Sequence, residues 1–246
     1  MTNNYNTALL EADSLYKRYG NKTALNRVTL SIKKNEVVGL LGPNGAGKST
    51  CFYILAGLIK ADAGSITLNG FKITDYPMHK RSKLGLTYLP QESSVFRELS
   101  TKDNLLALIE QREDLNEKQK NLFLEKLTNE FGLGEFEHVL GRNLSGGERR
   151  RLEIARALTS DPNIILLDEP FAGIDPISLN EIKTQIKELQ SRGIGILITD
   201  HNVRETLDIC DRAYIVNEGQ IIANGKVDEI LDDEKVKQVY LGKDFS

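Results

Sequence analysis

Cysteine is scarce in this 246-residue chain: only Cys51 and Cys210 occur, and neither has a second cysteine or a histidine at metal-ligand spacing. A disulfide framework and a structural zinc site are not expected. Long apolar runs are missing too, since stretches such as Val37–Leu41 and Ile164–Leu167 fall far short of the roughly eighteen residues a spanning helix needs. No direct membrane insertion is expected. The net charge is −3 with acids and bases interspersed, so no global field favours nucleic acid or an anionic surface. Internal repeats, low-complexity tracts and Pro/Ser-rich linkers are absent, which favours one continuous domain over two tethered ones. Met1–Thr7 is polar, without the basic and apolar regions of a secretory signal. The chain is expected in the cytosol, or held at a membrane by something else.

What is present is a changing hydrophobic period. Leu25, Val28, Leu30 and Ile32 predict a strand with one buried face, and Ser65–Asn69 predicts another before the turn at Gly70. From Thr101 to Phe131 the spacing turns helical, with Leu105, Leu108 and Ile109, then Leu122, Leu124 and Leu127. A further helix is predicted from Gly146 to about Thr159. Three segments, Val37–Leu41, Ile164–Leu167 and Ile194–Ile198, are short, apolar and unalternated. Parallel strands covered on both faces have this pattern. Each is followed by turn chemistry and a helical stretch, the βα rhythm of an α/β core. Ligands in such sheets sit beyond the carboxyl ends of the strands, so the residues that follow the three segments are the candidates for chemistry.

The first segment opens into Gly42-Pro43-Asn44-Gly45-Ala46-Gly47-Lys48-Ser49, followed by Thr50. This is a complete phosphate-binding loop: glycines let successive N–H groups turn toward phosphate oxygens, and a helix starting near Lys48 adds its positive end. Lys48 would reach the β- and γ-phosphates and the Ser49 hydroxyl would ligate Mg²⁺, which makes ATP with Mg²⁺ the expected ligand. The second segment carries Asp168 and Glu169 to the sheet edge. Asp168 suits a Mg²⁺ shell that keeps several waters, and Glu169 suits a general base facing the attacking water. The third ends at Thr199-Asp200-His201, where His201 would contact the γ-phosphate and orient Glu169, unless it is only a cap or surface residue. Between the second strand and the helical region lies Leu144-Ser145-Gly146-Gly147-Glu148. Ser145 and Glu148 form a capping box, and the exposed N–H groups of such a helix start also attract phosphate.

With the phosphate loop, a downstream Gln91, LSGGE from Leu144, LLDEP from Leu166 and His201 in this order, the chain resembles the ABC ATPases along essentially its whole length. The resemblance implies an α/β nucleotide-binding domain with a RecA-like parallel-sheet core, an antiparallel β subdomain and an inserted helical subdomain. Residues 1–246 would form that one domain, with helices over roughly 97–160 and a short helical tail over roughly 227–246. It also implies a homodimer in which Leu144–Glu148 closes over the ATP of the other protomer, so that Ser145, Gly146, Gly147 and Glu148 bind nucleotide. Tyr19 would stack on adenine, with Tyr16 as the neighbouring alternative; Gln91 would link Mg²⁺ to membrane subunits; Asp175 would cross the dimer interface. Within the family, the stretches Tyr88–Arg97, Leu144–Leu158, Leu166–Ser178 and Ile198–Val216, with the ending Val239–Phe245, resemble the branch that powers lipopolysaccharide export in Gram-negative bacteria. Importers of branched-chain amino acids share the tail, so the tail alone does not discriminate.

Two surface features remain. Phe96 beside Arg97 is either core or the anchor of a groove for a short helix of the membrane subunit. The Arg149–Arg151 run suggests nucleic acid to the eye, but three arginines on one helix are expected to be a solvated face. Chromosome-maintenance relatives insert a long coiled coil where this chain has about a hundred globular residues, so a nucleic-acid partner is not expected.

Overall fold

The unalternated apolar runs fold as strands buried on both faces. A computed structural model describes residues 8–241; the polar Met1–Thr7 and the tail residues Gly242–Ser246, which include part of the Val239–Phe245 resemblance, lie outside the described residues. In chain order the elements are β1 (Ala8–Tyr19), β2 (Lys22–Lys33), β3 (Val37–Leu41), α1 (Lys48–Ala56), β4 (Ala63–Leu68), β5 (Phe71–Lys72), α2 (Met78–Lys83) and β6 (Leu86–Leu89). Then come α3 (Thr101–Ile109), α4 (Glu117–Glu130), α5 (Gly146–Leu158), β7 (Ile164–Asp168), α6 (Pro176–Ser191), β8 (Gly195–Thr199), α7 (Val203–Ile209), β9 (Arg212–Asn217), β10 (Gln220–Lys226), α8 (Val227–Asp232) and α9 (Glu234–Val236).

Six strands form one sheet in the order β10-β9-β3-β8-β7-β6, parallel except for β10. Period-two geometry sends alternate residues of each run to opposite faces. Thus Ile165, Leu167, Ile196 and Ile198 join a core with α3–α6, while Val38, Leu40, Ile164, Leu166 and Leu197 join a second core with α1 and the β1–β2 sheet. That is why these runs show no alternation in sequence: both faces are interior. A separate antiparallel sheet, β2-β1-β4-β5, packs on the second core. In β2 the alternation slips by one between Leu25 and Val28, both buried. The pairing explains it: Lys17 and Leu15 of β1 face Leu25 and Val28, so β2 carries one extra residue there, with Arg27 at φ 56°.

Helices α3, α4 and α5 start at side-chain caps, Ser100, Asn116 and Ser145, the last two with reciprocal capping boxes. The tail returns to the sheet: burial raises the Tyr240 phenol pKa, opposed by a hydrogen bond with the Gly42 backbone. Among the described residues, no helix is long and apolar enough to cross a membrane.

One residue that sequence reading passed over fixes α1. Arg81, 1% exposed, donates to the carbonyls of Ile54 and Leu55 (2.7 Å each), Tyr76 (2.7 Å) and Thr74 (2.9 Å). Burial lowers its pKa to about 10, so it remains a cation at neutral pH at the carboxyl end of a helix. Arg81→Met is expected to destabilise the fold by about 3 kcal/mol or more, because buried carbonyls left without a donor cost roughly 1–3 kcal/mol each. Urea unfolding monitored by circular dichroism checks this; an unchanged midpoint would refute it.

Candidate functional site

Because β3, β6, β7, β8 and β9 run parallel, their carboxyl ends meet at one edge, and the candidate residues gather there. Gly42–Ser49 follows β3. Gly42 and Gly47 have φ of 149° and 110°, and a Cβ on either would strike backbone, that of Val216 and of Ala24 respectively; only glycine lets the loop lie this close. Helix α1 begins behind Gly47 with no side-chain cap, unlike α3, α4 and α5. Its first N–H groups are left for a ligand, the arrangement an anion needs. Lys48 is buried and lies back along the loop, donating to the carbonyls of Gly42 (2.7 Å) and Pro43 (3.0 Å). Burial lowers its pKa, with Glu169 and Asp168 opposing the shift.

The acidic pair is positioned by strand register. Asp168 ends β7 level with Thr199 at the end of β8, is buried, and accepts the Tyr88 hydroxyl at its Oδ2 (3.0 Å). Burial raises its pKa above the usual aspartate range, against that hydrogen bond. Glu169 takes a left-handed backbone, φ 46°, with its N–H bonded to the Thr199 carbonyl (2.7 Å). For a residue other than glycine this conformation costs about 1–3 kcal/mol, and such strain concentrates at functional sites. The turn sends the carboxylate between two partners: Oε1 meets His201 Nε2 at 2.7 Å, and Oε2 accepts from Gln91 Nε2 at 2.5 Å. Burial is the main reason its pKa is raised, with His201 pulling it down. Asp200 holds the turn from behind, accepting from the N–H groups of Phe171 (2.9 Å) and Asn202 (2.8 Å). Neither the Asp200 contact with Phe171 nor the Tyr88 contact with Asp168 is legible in the sequence, because the partners lie about thirty and eighty residues apart.

A cleft of about 480 Å³ is lined by Tyr19, Lys22, Asn44, Gly45, Gly47, Lys48, Ser49, Thr50, Glu169 and His201, among others. Tyr19 stands at its rim, 49% exposed, with the Lys17 ammonium 5.5 Å from its ring centre. Tyr16, three residues back on β1, does not line the cleft. A larger groove, about 930 Å³, lies between β2 and β10 and carries none of the motif residues. Ser49, Asp168 and Gln91 offer only hard oxygen donors, as Mg²⁺ prefers. No group of three His, Cys, Asp or Glu side chains suited to a metal occurs among the described residues.

The Leu144–Glu148 segment is not brought to this cleft. Ser145 and Glu148 cap α5, with Ser145 N–H to Glu148 Oε2 at 2.8 Å and Glu148 N–H to Ser145 Oγ at 3.3 Å. Gly146 borders a separate pocket of about 200 Å³ with Gln91, Arg149, Arg150 and Glu169, and Gly147 packs so tightly on Ser178 that a Cβ would clash. Asp175 caps α6 through the N–H groups of Ile177 and Ser178, 3.0 Å each, and hydrogen bonding with Ser178 holds its pKa below the usual range.

Two surface expectations are settled by packing. The Arg149–Arg151 run is not a solvated face: Arg150 is 5% exposed and paired with Glu153 (2.8 Å), and Arg151 pairs with Glu181 (3.1 Å) over the Phe136 ring. Helix α5 is wedged between the Gln91 segment and α6, so its period turns these arginines inward. Phe96 is not core. It is 46% exposed beneath the Arg156 guanidinium, 4.5 Å from the ring centre, and Val95 fills the interior place.

A phosphate loop, an acidic pair and a histidine on consecutive edge positions of a parallel sheet define a phosphate-loop ATPase. The family model described as ABC transporter matches residues 25–172, and that of the branched-chain amino acid ATP-binding cassette transporter matches residues 220–246. The chain belongs to the ABC transporter family, as an ATP-hydrolysing subunit. It is 52% identical to the lipopolysaccharide export system ATP-binding proteins of Haemophilus influenzae and of Escherichia coli, over 97% of this chain and 99% of each relative. Among solved structures, an ATP-binding cassette of an ABC transporter in its ADP conformation superposes with a TM-score of 0.85 at 29% identity, covering 96% of this chain and all of that one. A dimeric bacterial ABC transporter cassette gives 0.77 at 26% identity, over 89% and 98%.

Proposed function

We propose that this chain hydrolyses ATP to drive extraction of lipopolysaccharide from the inner membrane and its transport to the outer membrane, working at the cytoplasmic face beneath integral membrane partners. The observation that carries this reading is the 52% identity to lipopolysaccharide export relatives over 97% of the chain. A branched-chain amino acid importer is the second reading, supported by the family model at residues 220–246. That match covers only the tail.

In this reading Lys48 and the loop N–H groups hold the phosphates, and Tyr19 stacks on adenine. Ser49, Asp168 and Gln91 are the donors for Mg²⁺, which when bound supplies charge neutralisation at the phosphate oxygens. Glu169 takes a proton from the attacking water, and His201 orients the carboxylate. The Leu144–Glu148 helix start, lying outside its own cleft, faces the nucleotide of a second copy, and the two copies form a head-to-tail dimer with Asp175 at the interface. Phe96 and Arg97, exposed five and six residues after Gln91, receive a short helix of the membrane subunit. The Arg156–Phe96 stack supports this by holding the ring rigid at the surface.

Solubilising native membranes and identifying what co-purifies with the tagged chain tests the cargo. Lipopolysaccharide-export subunits are expected; amino-acid permeases would overturn the reading. Arg97→Ala and Phe96→Ala are each expected to leave the isolated chain's ATPase activity nearly intact while weakening partner recovery about thirtyfold, the equivalent of about 2 kcal/mol for an anchor residue. Full recovery with both variants would remove the docking assignment.

A further inference from the structure

The Tyr88 hydroxyl is the only side-chain donor that reaches Asp168 among the described residues. Register puts it there. In the parallel pair of β6 and β7, Tyr88 stands opposite Leu166, and Asp168, two residues on, points to the same face. The ring is half-buried against the second core and meets Tyr53 of α1 edge-on, with centroids 6.4 Å apart at 86°. A phenol held by α1 on one side thus reaches a carboxylate at the end of β7 on the other. Three residues further along the chain is Gln91, which touches Glu169. The ring therefore lies where the phosphate-loop helix, the acidic pair and the Gln91 segment converge.

We propose that Tyr88 is a positioning residue for the metal: its hydroxyl commits Oδ2 of Asp168, fixes the carboxylate's rotation and leaves Oδ1 to the metal's hydration shell. Carboxylates that serve metals are themselves held by outer hydrogen bonds, and losing such a partner typically costs about 10–100-fold in metal affinity. Mg²⁺, which tolerates little departure from octahedral geometry, is sensitive to a carboxylate that is free to turn. The proposal rests on Asp168 being a metal donor, and the test separates the two.

Tyr88→Phe keeps the ring and its contact with Tyr53 and removes only the hydroxyl. With the full chain and ADP, Mn²⁺ binding followed by electron paramagnetic resonance is expected to weaken about tenfold, while ADP affinity without metal and the thermal midpoint stay near the parent values. In steady-state assays the Mg²⁺ concentration for half-maximal rate rises by a similar factor, with KM for ATP at saturating Mg²⁺ unchanged. In an Asp168→Asn background, Tyr88→Phe adds no further loss of Mn²⁺ affinity, because the group it orients is gone. If Asp168→Asn weakens Mn²⁺ binding and Tyr88→Phe does not, the positioning role is wrong and the metal assignment stands. A lower thermal midpoint with unchanged Mn²⁺ affinity would make the hydroxyl merely structural. If Asp168→Asn leaves Mn²⁺ affinity unchanged, the metal assignment itself fails.

Discussion

Glu169→Gln is expected to lower ATP hydrolysis by at least about a hundredfold while ATP still binds, since a positioned general base contributes about 10²–10⁴-fold. The amide fills the same space but cannot take a proton. The surroundings make this a clean separation: one carboxylate oxygen meets His201 at 2.7 Å and the other accepts from Gln91 at 2.5 Å, so the side chain is held from two sides and the variant has little room to reorganise. With ATP and Mg²⁺ present and no turnover, the variant is expected to run as a dimer on size exclusion. Adding Ser145→Arg to the same chain should return it to a monomer, because bulk at the start of α5 blocks the partner's γ-phosphate. Phosphate release and elution volume are the measurements. A Glu169→Gln, Ser145→Arg chain that still dimerised with ATP would disprove the head-to-tail arrangement.

Lys48→Ala is expected to weaken ATP binding by about a hundredfold, as follows from the roughly 1.5–3 kcal/mol of a hydrogen bond to a charged group. Lys48 donates to the carbonyls of Gly42 and Pro43, so the same ammonium that lies along the loop is the cation available to the β- and γ-phosphates. Loss of the side chain leaves the glycine-lined loop and the uncapped start of α1, which explains why residual weak binding should survive. Calorimetry measures the affinity, and an unchanged value would remove Lys48 from the site. Circular dichroism separates this from unfolding, since the loop backbone is held by independent bonds, Ala46 N–H to Pro43 and Gly219 N–H to Ala46.

That Lys48, Asp168 and Glu169 stand at the carboxyl edge of the sheet was readable because local physics dictates it. A glycine-rich turn between a buried strand and a helix places Lys48, and the acidic pair follows its strand directly, so their positions needed no tertiary knowledge. The same holds for Ser145 and Glu148, whose capping box spans one turn of helix. Phe96 and the arginines of α5 were different. An exposed aromatic and a buried one have the same local sequence, and Phe96 came to the surface because Val95 took the interior place and Arg156, sixty residues away, covers the ring. Arg150 went inward because α5 packs against the Gln91 segment, where the Pro90 carbonyl accepts from it, and Glu153 on the same helix pairs with it.

The α/β core, the phosphate loop, the order of the motifs and the cap of α5 follow from the order of residues alone, since each depends on contacts within a turn or on the two-residue period of a strand. It took the packed fold to set Glu169 between His201 and Gln91, to bring Tyr88 to Asp168, to line the cleft with Tyr19 and not Tyr16, and to close the end of α1 with Arg81. These depend on sheet order and register, which bring residues from distant strands to one edge, and no local pattern encodes which strand lies beside which.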